Sequence, residues 1–102
     1  MDTCCDMKGF LAYLTLKLIS KKPMSGEDIR AEIGKRRGTR PSPGTIYPCL
    51  KHLVDTGLIV EETRNKMQEA RGKEKKYVLT QQGKKALDIA TRQFIRIFGD
   101  ML

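Results

Sequence analysis

Apolar residues recur at helical spacing in several stretches of this chain and at strand spacing near its middle. Met7, Leu11, Leu14 and Leu18 fall on one stripe, which predicts a first helix over Met7–Ser20. Phe10, Tyr13 and Ile19 widen that stripe beyond one face. A helix apolar on more than one side contacts more than its own small domain. Lys21, Lys22 and Pro23 end the helix, because the residue before a proline avoids the α region. A second helix begins at Ser25, whose hydroxyl suits a cap, with Asp28 at the capping-box position and Met24 and Ile29 at staple positions. Ile29 and Ile33 face inward, and Gly34 to Thr39 reads as the exit, with Gly38 as turn residue.

Ser42 followed by Pro43 is a start signal for a third helix, since proline has no N–H to leave unsatisfied at the first helical position. Ile46, Leu50, Leu53 and Val54 form its inward face, and Gly57 stops it. Pro48 removes one backbone bond and crowds the Gly44 carbonyl, which predicts a kink or a loosened first turn. Leu58–Glu62 and Lys76–Leu79 read as the strands of a hairpin with a long polar tip, Thr63–Lys75. Thr80 then caps a last helix running towards Phe98.

The order helix, helix, helix, strand, strand, helix is a helix-turn-helix followed by a β-hairpin. The expected fold is therefore mainly α, an α+β winged helix whose third helix suits the major groove. A length of 102 residues suggests one compact domain. Residues 1–80 form its winged-helix part with the N-terminal helix, and residues 81–102 form a C-terminal dimerisation helix.

Charge sharpens this reading. Lysine and arginine number 20 against 12 acids, a net charge of +8, which draws the chain towards polyanions. Net charge alone does not separate DNA, RNA, a membrane surface and an acidic protein, but its placement narrows the choice. From Ile33 to Val54 stand Lys35, Arg36, Arg37, Arg40 and Lys51 with no acid. From Arg64 to Lys76 stand Arg64, Lys66, Arg71, Lys73, Lys75 and Lys76 against Glu69 and Glu74. These are the two elements a winged helix presents to DNA. The candidate DNA-binding residues are Arg36, Arg37 and Arg40 before the third helix, Ser42, Gly44, Thr45, Tyr47, Lys51 and His52 on it, and Arg71, Lys73 and Lys75 in the hairpin. Lys51 suits guanine, Thr45 a phosphate or a thymine methyl, and His52 a phosphate. The alternative is a solvated helix face; the order of elements around the charge favours DNA.

The segment Ser42–Ile59, SPGTIYPCLKHLVDTGLI, resembles the PadR family of bacterial and archaeal transcriptional regulators. The resemblance rests on Gly44-Thr45, Tyr47-Pro48, Leu50, Leu53 and Gly57-Leu58-Ile59. Lys75–Gly83, KKYVLTQQG, is similar to the family's second wing strand leading into its last helix. The resemblance implies a winged-helix dimer on paired operator half-sites, usually a repressor released by a small-molecule effector, here of unidentified chemistry. It implies that Gly44, Thr45, Tyr47 and Lys51 lie near DNA and that Pro48 is tolerated. The chain departs from the pattern at Glu27, where the family often has an aromatic after the glycine, and in its short C-terminal region.

Leu87, Ala90, Phe94, Ile97 and Met101 follow the three-four spacing of a helix that pairs with another helix. Ile95, Phe98 and Leu102 add a second strip, and Phe10 and Leu14 of the first helix are expected in the same homodimer interface. The alternative is that both strips bury within one chain.

Other chemistry finds little support. Three cysteines, Cys4, Cys5 and Cys49, make an odd set, and Cys4 and Cys5 are neighbours, which argues against a disulfide framework and fits a reducing compartment. Cys49 and His52 lie three apart on a helix, yet no paired Cys-x-x-Cys zinc pattern is present, so no metal and no cofactor are expected. His52 is the only histidine, no serine or carboxylate pattern marks a triad, and no phosphate-binding glycine loop occurs, so an enzyme is not expected. The apolar run Gly9–Ile19 is short and interrupted by Lys17, and the start lacks a basic leader, which reads as a cytoplasmic protein without a membrane partner. Six Tyr and Phe residues, mostly at core spacing, argue against a stacking platform for single strands. The rival reading is a winged-helix module that binds another protein without specific DNA binding.

Overall fold

Ser25 stands where two elements meet, and it shows how the chain is assembled. The computed structural model describes residues 3–62 and 75–101, with side chains of the first helix described from Gly9 onward. The first helix, α1, spans Thr3–Ile19 and thus begins before Met7, the first apolar position of its stripe. The upstream residues hold no helix breaker, so nothing local stops the helix there. Next comes a strand that the hydrophobic pattern did not reveal, β1, Met24–Ser25. Two residues are too few to show alternation.

Ser25 also caps helix α2, Gly26–Arg37. Its hydroxyl accepts from the Asp28 amide at 3.1 Å while its own amide donates to the Asp28 carboxylate at 3.2 Å. This is the reciprocal capping box that the sequence predicts. The helix continues past Gly34 and ends at Gly38, whose φ of 90° is left-handed and whose N–H donates to the Gly34 carbonyl at 2.8 Å. Glycine is the residue that adopts this cap without strain.

Helix α3, Pro43–Asp55, starts at Ser42, but the Ser42 hydroxyl does not cap the backbone. It lies 3.1 Å from the Thr45 hydroxyl instead, and the Ser42 carbonyl accepts from the Thr45 and Ile46 amides at 3.0 Å each. The first of these bonds is the i to i+3 kind and the second the α-helical i to i+4 kind, and the helix runs through Pro48 without a break.

Strand β2, Ile59–Glu62, pairs with β3, Lys76–Leu79, in antiparallel register with Val60 opposite Val78 and Glu62 opposite Lys76. β1 joins the other edge of β3, Met24 opposite Tyr77, giving the sheet order β1-β3-β2. Helix α4, Gln81–Phe98, is launched by Thr80, whose hydroxyl accepts from the Gly83 amide at 2.9 Å and donates to the Gly57 carbonyl at 2.7 Å. Gly83 is seated so close to the Leu58 carbonyl that a Cβ there would collide with it.

The core gathers Ile29 and Ile33 of α2, Ile46 and Leu50 of α3, and Ile59 of β2, all essentially without exposure. Leu11, Leu16, Leu18 and Ile19 of α1, Met24 of β1, Cys49 and Leu53 of α3, Tyr77 of β3 and Leu87 of α4 join it. Full burial of one such side chain contributes about 1.5–3 kcal/mol. α4 also reaches α1 through the Tyr13 and Thr91 hydroxyls, 2.9 Å apart, and through the Tyr13 and Phe94 rings, whose centroids are 6.5 Å apart.

Candidate nucleic-acid interface

Helix α3 is strongly two-sided. Ile46, Cys49, Leu50 and Leu53 are buried and fix its rotation on the core. Ser42, Gly44, Thr45, Tyr47, Lys51 and His52 are all exposed on the other side. Arg36 and Arg37 at the end of α2, Arg40 in the connection and Lys75 beside β3 are exposed too. Arg71 and Lys73 of the candidate set lie outside the described residues.

The cations differ in their partners. Lys51 reaches Asp55 at 3.3 Å, one helical turn on, with both side chains largely exposed. Such a pair contributes roughly 0–1 kcal/mol, so a phosphate or base can displace it. Glu32 serves Arg36 at 3.1 Å and Lys35 at 3.9 Å. The acid-free window in the sequence begins at Ile33, and helical spacing brings Glu32 back beside it. Lys75 lies 3.9 Å from Glu61 across the sheet. Arg37 and Arg40 carry no ion pair among the described residues.

One arrangement was not visible in the sequence. The Tyr47 hydroxyl donates to the Glu27 carboxylate at 3.1 Å, across a gap of 20 positions. Arg30 holds both oxygens of that carboxylate at 2.8 Å and donates through Nε to the Pro41 carbonyl at 2.8 Å. The Tyr47 ring lies close against Gly26; a Cβ there would stand 2.5 Å from Tyr47 Cε1. The i, i+3 spacing of Glu27 and Arg30 is a legible signal, whereas the contact to Tyr47 depends on how α2 meets α3. Arg30, and then Tyr47, hold the Glu27 carboxyl below its ordinary pKa. Partial burial, and then the Glu27 carboxylate, raise the Tyr47 phenol above its ordinary value.

The residues proposed for dimerisation divide. Phe10, Phe94, Ile97, Phe98 and Met101 are exposed, Ile97 at 59% and Met101 at 72%. Leu14 and Ala90 are half-buried. Leu87 belongs to the protomer's own core, which corrects its placement on the outer strip. The Thr80 cap and the Gly83 contact dock the first turns of α4 against the β2 end, so those turns face inward. Beyond Thr91 the apolar face emerges from the core.

Among the described residues there is no group of three or more metal-ligating side chains, and Cys49 is buried. No described helix is long and apolar enough to cross a membrane.

A model of the transcriptional regulator PadR-like family matches residues 15–89. The chain belongs to this family. The PadR-like match runs from within α1 through α2, α3 and the sheet into α4, and it stops before the exposed strip that begins at Phe94. The fold is the family's winged helix. Among solved structures, a PadR-like transcription factor from Bacteroides fragilis is 25% identical, with a TM-score of 0.79 over 99% of this chain and 96% of that one. A PadR family transcription regulator from Clostridium difficile R20291 is 28% identical, with a TM-score of 0.70 over 90% of this chain and 93% of that one. Bacillus subtilis PadR, solved in complex with operator DNA, is 32% identical, with a TM-score of 0.67 over 80% of this chain and 47% of that one. No curated protein matches the chain.

Proposed function

We propose that this PadR-like regulator binds double-stranded DNA sequence-specifically as a homodimer and represses transcription from a palindromic operator. The observation that carries the reading is the outer face of α3, where Thr45, Tyr47, Lys51 and His52 stand exposed, together with the exposed Arg37 and Arg40 that precede α3 in the chain, cations with no ion pair among the described residues. Phosphate neutralisation by such arginines supplies affinity, and the α3 side chains supply base readout. The operator complex of the Bacillus subtilis relative supports this use of the fold. The repressor role and a small-molecule effector rest on the family resemblance.

A second copy of the chain is the occupant proposed for the strip Phe94, Ile97, Phe98 and Met101, together with the exposed Phe10 of α1. An exposed apolar strip of this kind on a small domain is an association site. Two-fold pairing there places two α3 helices for successive major grooves, about 34–36 Å apart. Selection of bound duplexes from a random DNA pool tests the reading. A palindromic consensus with half-sites one turn apart is expected; a single unrepeated half-site, or no enrichment, contradicts it.

A further inference from the structure

The DNA-facing side of this chain carries an acid where an acid opposes binding. Glu27 is on the first turn of α2, half-exposed, next to the outer face of α3. A carboxylate there repels phosphate, so its presence calls for a role that offsets the cost. Its contacts supply one. Arg30 grips both carboxylate oxygens and is itself anchored on the Pro41 carbonyl in the connection between α2 and α3. The held carboxylate then takes the Tyr47 hydroxyl, while Gly26 leaves just the room the Tyr47 ring needs. Two restraints from α2, the Glu27 carboxylate that Arg30 ties to the connection and the close approach of Gly26, thus act on a single exposed tyrosine of α3.

An aromatic ring held in one orientation loses less conformational freedom on binding than one that rotates. We propose that Glu27 is a specificity-determining positioning residue: it orients Tyr47 for base recognition and lowers affinity for DNA in general. The proposal rests on α3 being the DNA-reading helix. Arg30 limits the general electrostatic cost by pairing with the carboxylate. Tyr47 is then presented with its hydroxyl already engaged, so its ring edge and face are what meet the duplex. Cognate DNA gains from the fixed ring, whereas scrambled DNA meets only the added negative charge.

The test compares affinities for the selected duplex and for a scrambled duplex at fixed salt, using the full chain and the variants Glu27→Ala, Glu27→Gln, Tyr47→Phe and Glu27→Ala/Tyr47→Phe. Glu27→Ala should tighten binding to scrambled duplex and lower the cognate-to-scrambled ratio about 3- to 10-fold, the scale of one hydrogen bond. Glu27→Gln also loses the charge but keeps an oxygen that accepts from Tyr47. It should tighten scrambled binding while keeping the ratio within about 2-fold of the parent, since the hydrogen bond survives. Tyr47→Phe should lower the ratio as Glu27→Ala does, and the double variant should be no worse than either single one, because the two side chains act as a unit. An unchanged ratio in Glu27→Ala, equal losses in Glu27→Ala and Glu27→Gln, or additive losses in the double variant overturns the proposal while leaving DNA reading by α3 intact. A parent protein that does not discriminate the two duplexes overturns the reading of α3 itself, and the proposal with it.

Discussion

Lys51 and Arg37 are both exposed cations, yet their settings assign them different work. Lys51 projects from the middle of α3 and, among the described residues, is tied only to Asp55. Arg37 ends α2, ahead of α3 in the chain, with no ion pair among the described residues. Lys51→Ala should weaken binding to a cognate duplex by about 1–3 kcal/mol and binding to scrambled duplex much less, the signature of a lost base contact. Arg37→Ala should weaken both alike, as loss of a phosphate contact does. Gel shifts with the two duplexes decide, and equal effects for the two variants would contradict the division of roles. At this scale the sequence was informative wherever a residue's role follows from its own helix, as for Lys51, Thr45 and the Ser25–Asp28 box. Tyr47 is legible as a DNA-binding candidate on the third helix, but its partner Glu27 is not. That bond spans two helices, and no spacing rule within one helix reports it.

Among the elements, the three core helices, the hairpin strands and the last helix were readable because caps, prolines and periodicity agree there. Misreadings occurred where local signals were weak or ambiguous. Ser42 has the residue type of a side-chain cap, yet its hydroxyl turns to Thr45. Met24–Ser25 forms a strand only because β3 supplies a partner. Gly83 carries no local signal for a tertiary contact, yet the fold seats it against the Leu58 carbonyl and so locks α4 to the residue before β2. Gly83→Ala should therefore destabilise the protein by about 1–3 kcal/mol, although alanine is the better helix former, because the added methyl forces α4 away from Leu58. Thermal or urea unfolding checks this. A variant as stable as the parent, or more so, would show that α4 is not held there.

For the whole molecule, α4 changes character along its length. Its first half, ending at Leu87, belongs to the core, and its second half carries Phe94, Ile97, Phe98 and Met101 outward. The three-four spacing announced an apolar helix but could not show where the core ends, which is why Leu87 was counted with the outer strip. Phe94→Glu together with Ile97→Glu should yield a monomer by sedimentation, with greatly weakened affinity for a full palindrome. A double variant that stays dimeric would move the interface elsewhere. The central claim is that this basic, two-sided winged helix binds duplex DNA through its cationic face, and the salt dependence of duplex affinity tests it most directly. With about six phosphates neutralised, the logarithm of affinity should fall against the logarithm of salt concentration with a slope of roughly −5. A flat salt response would contradict the account and point to a winged-helix module that binds protein instead.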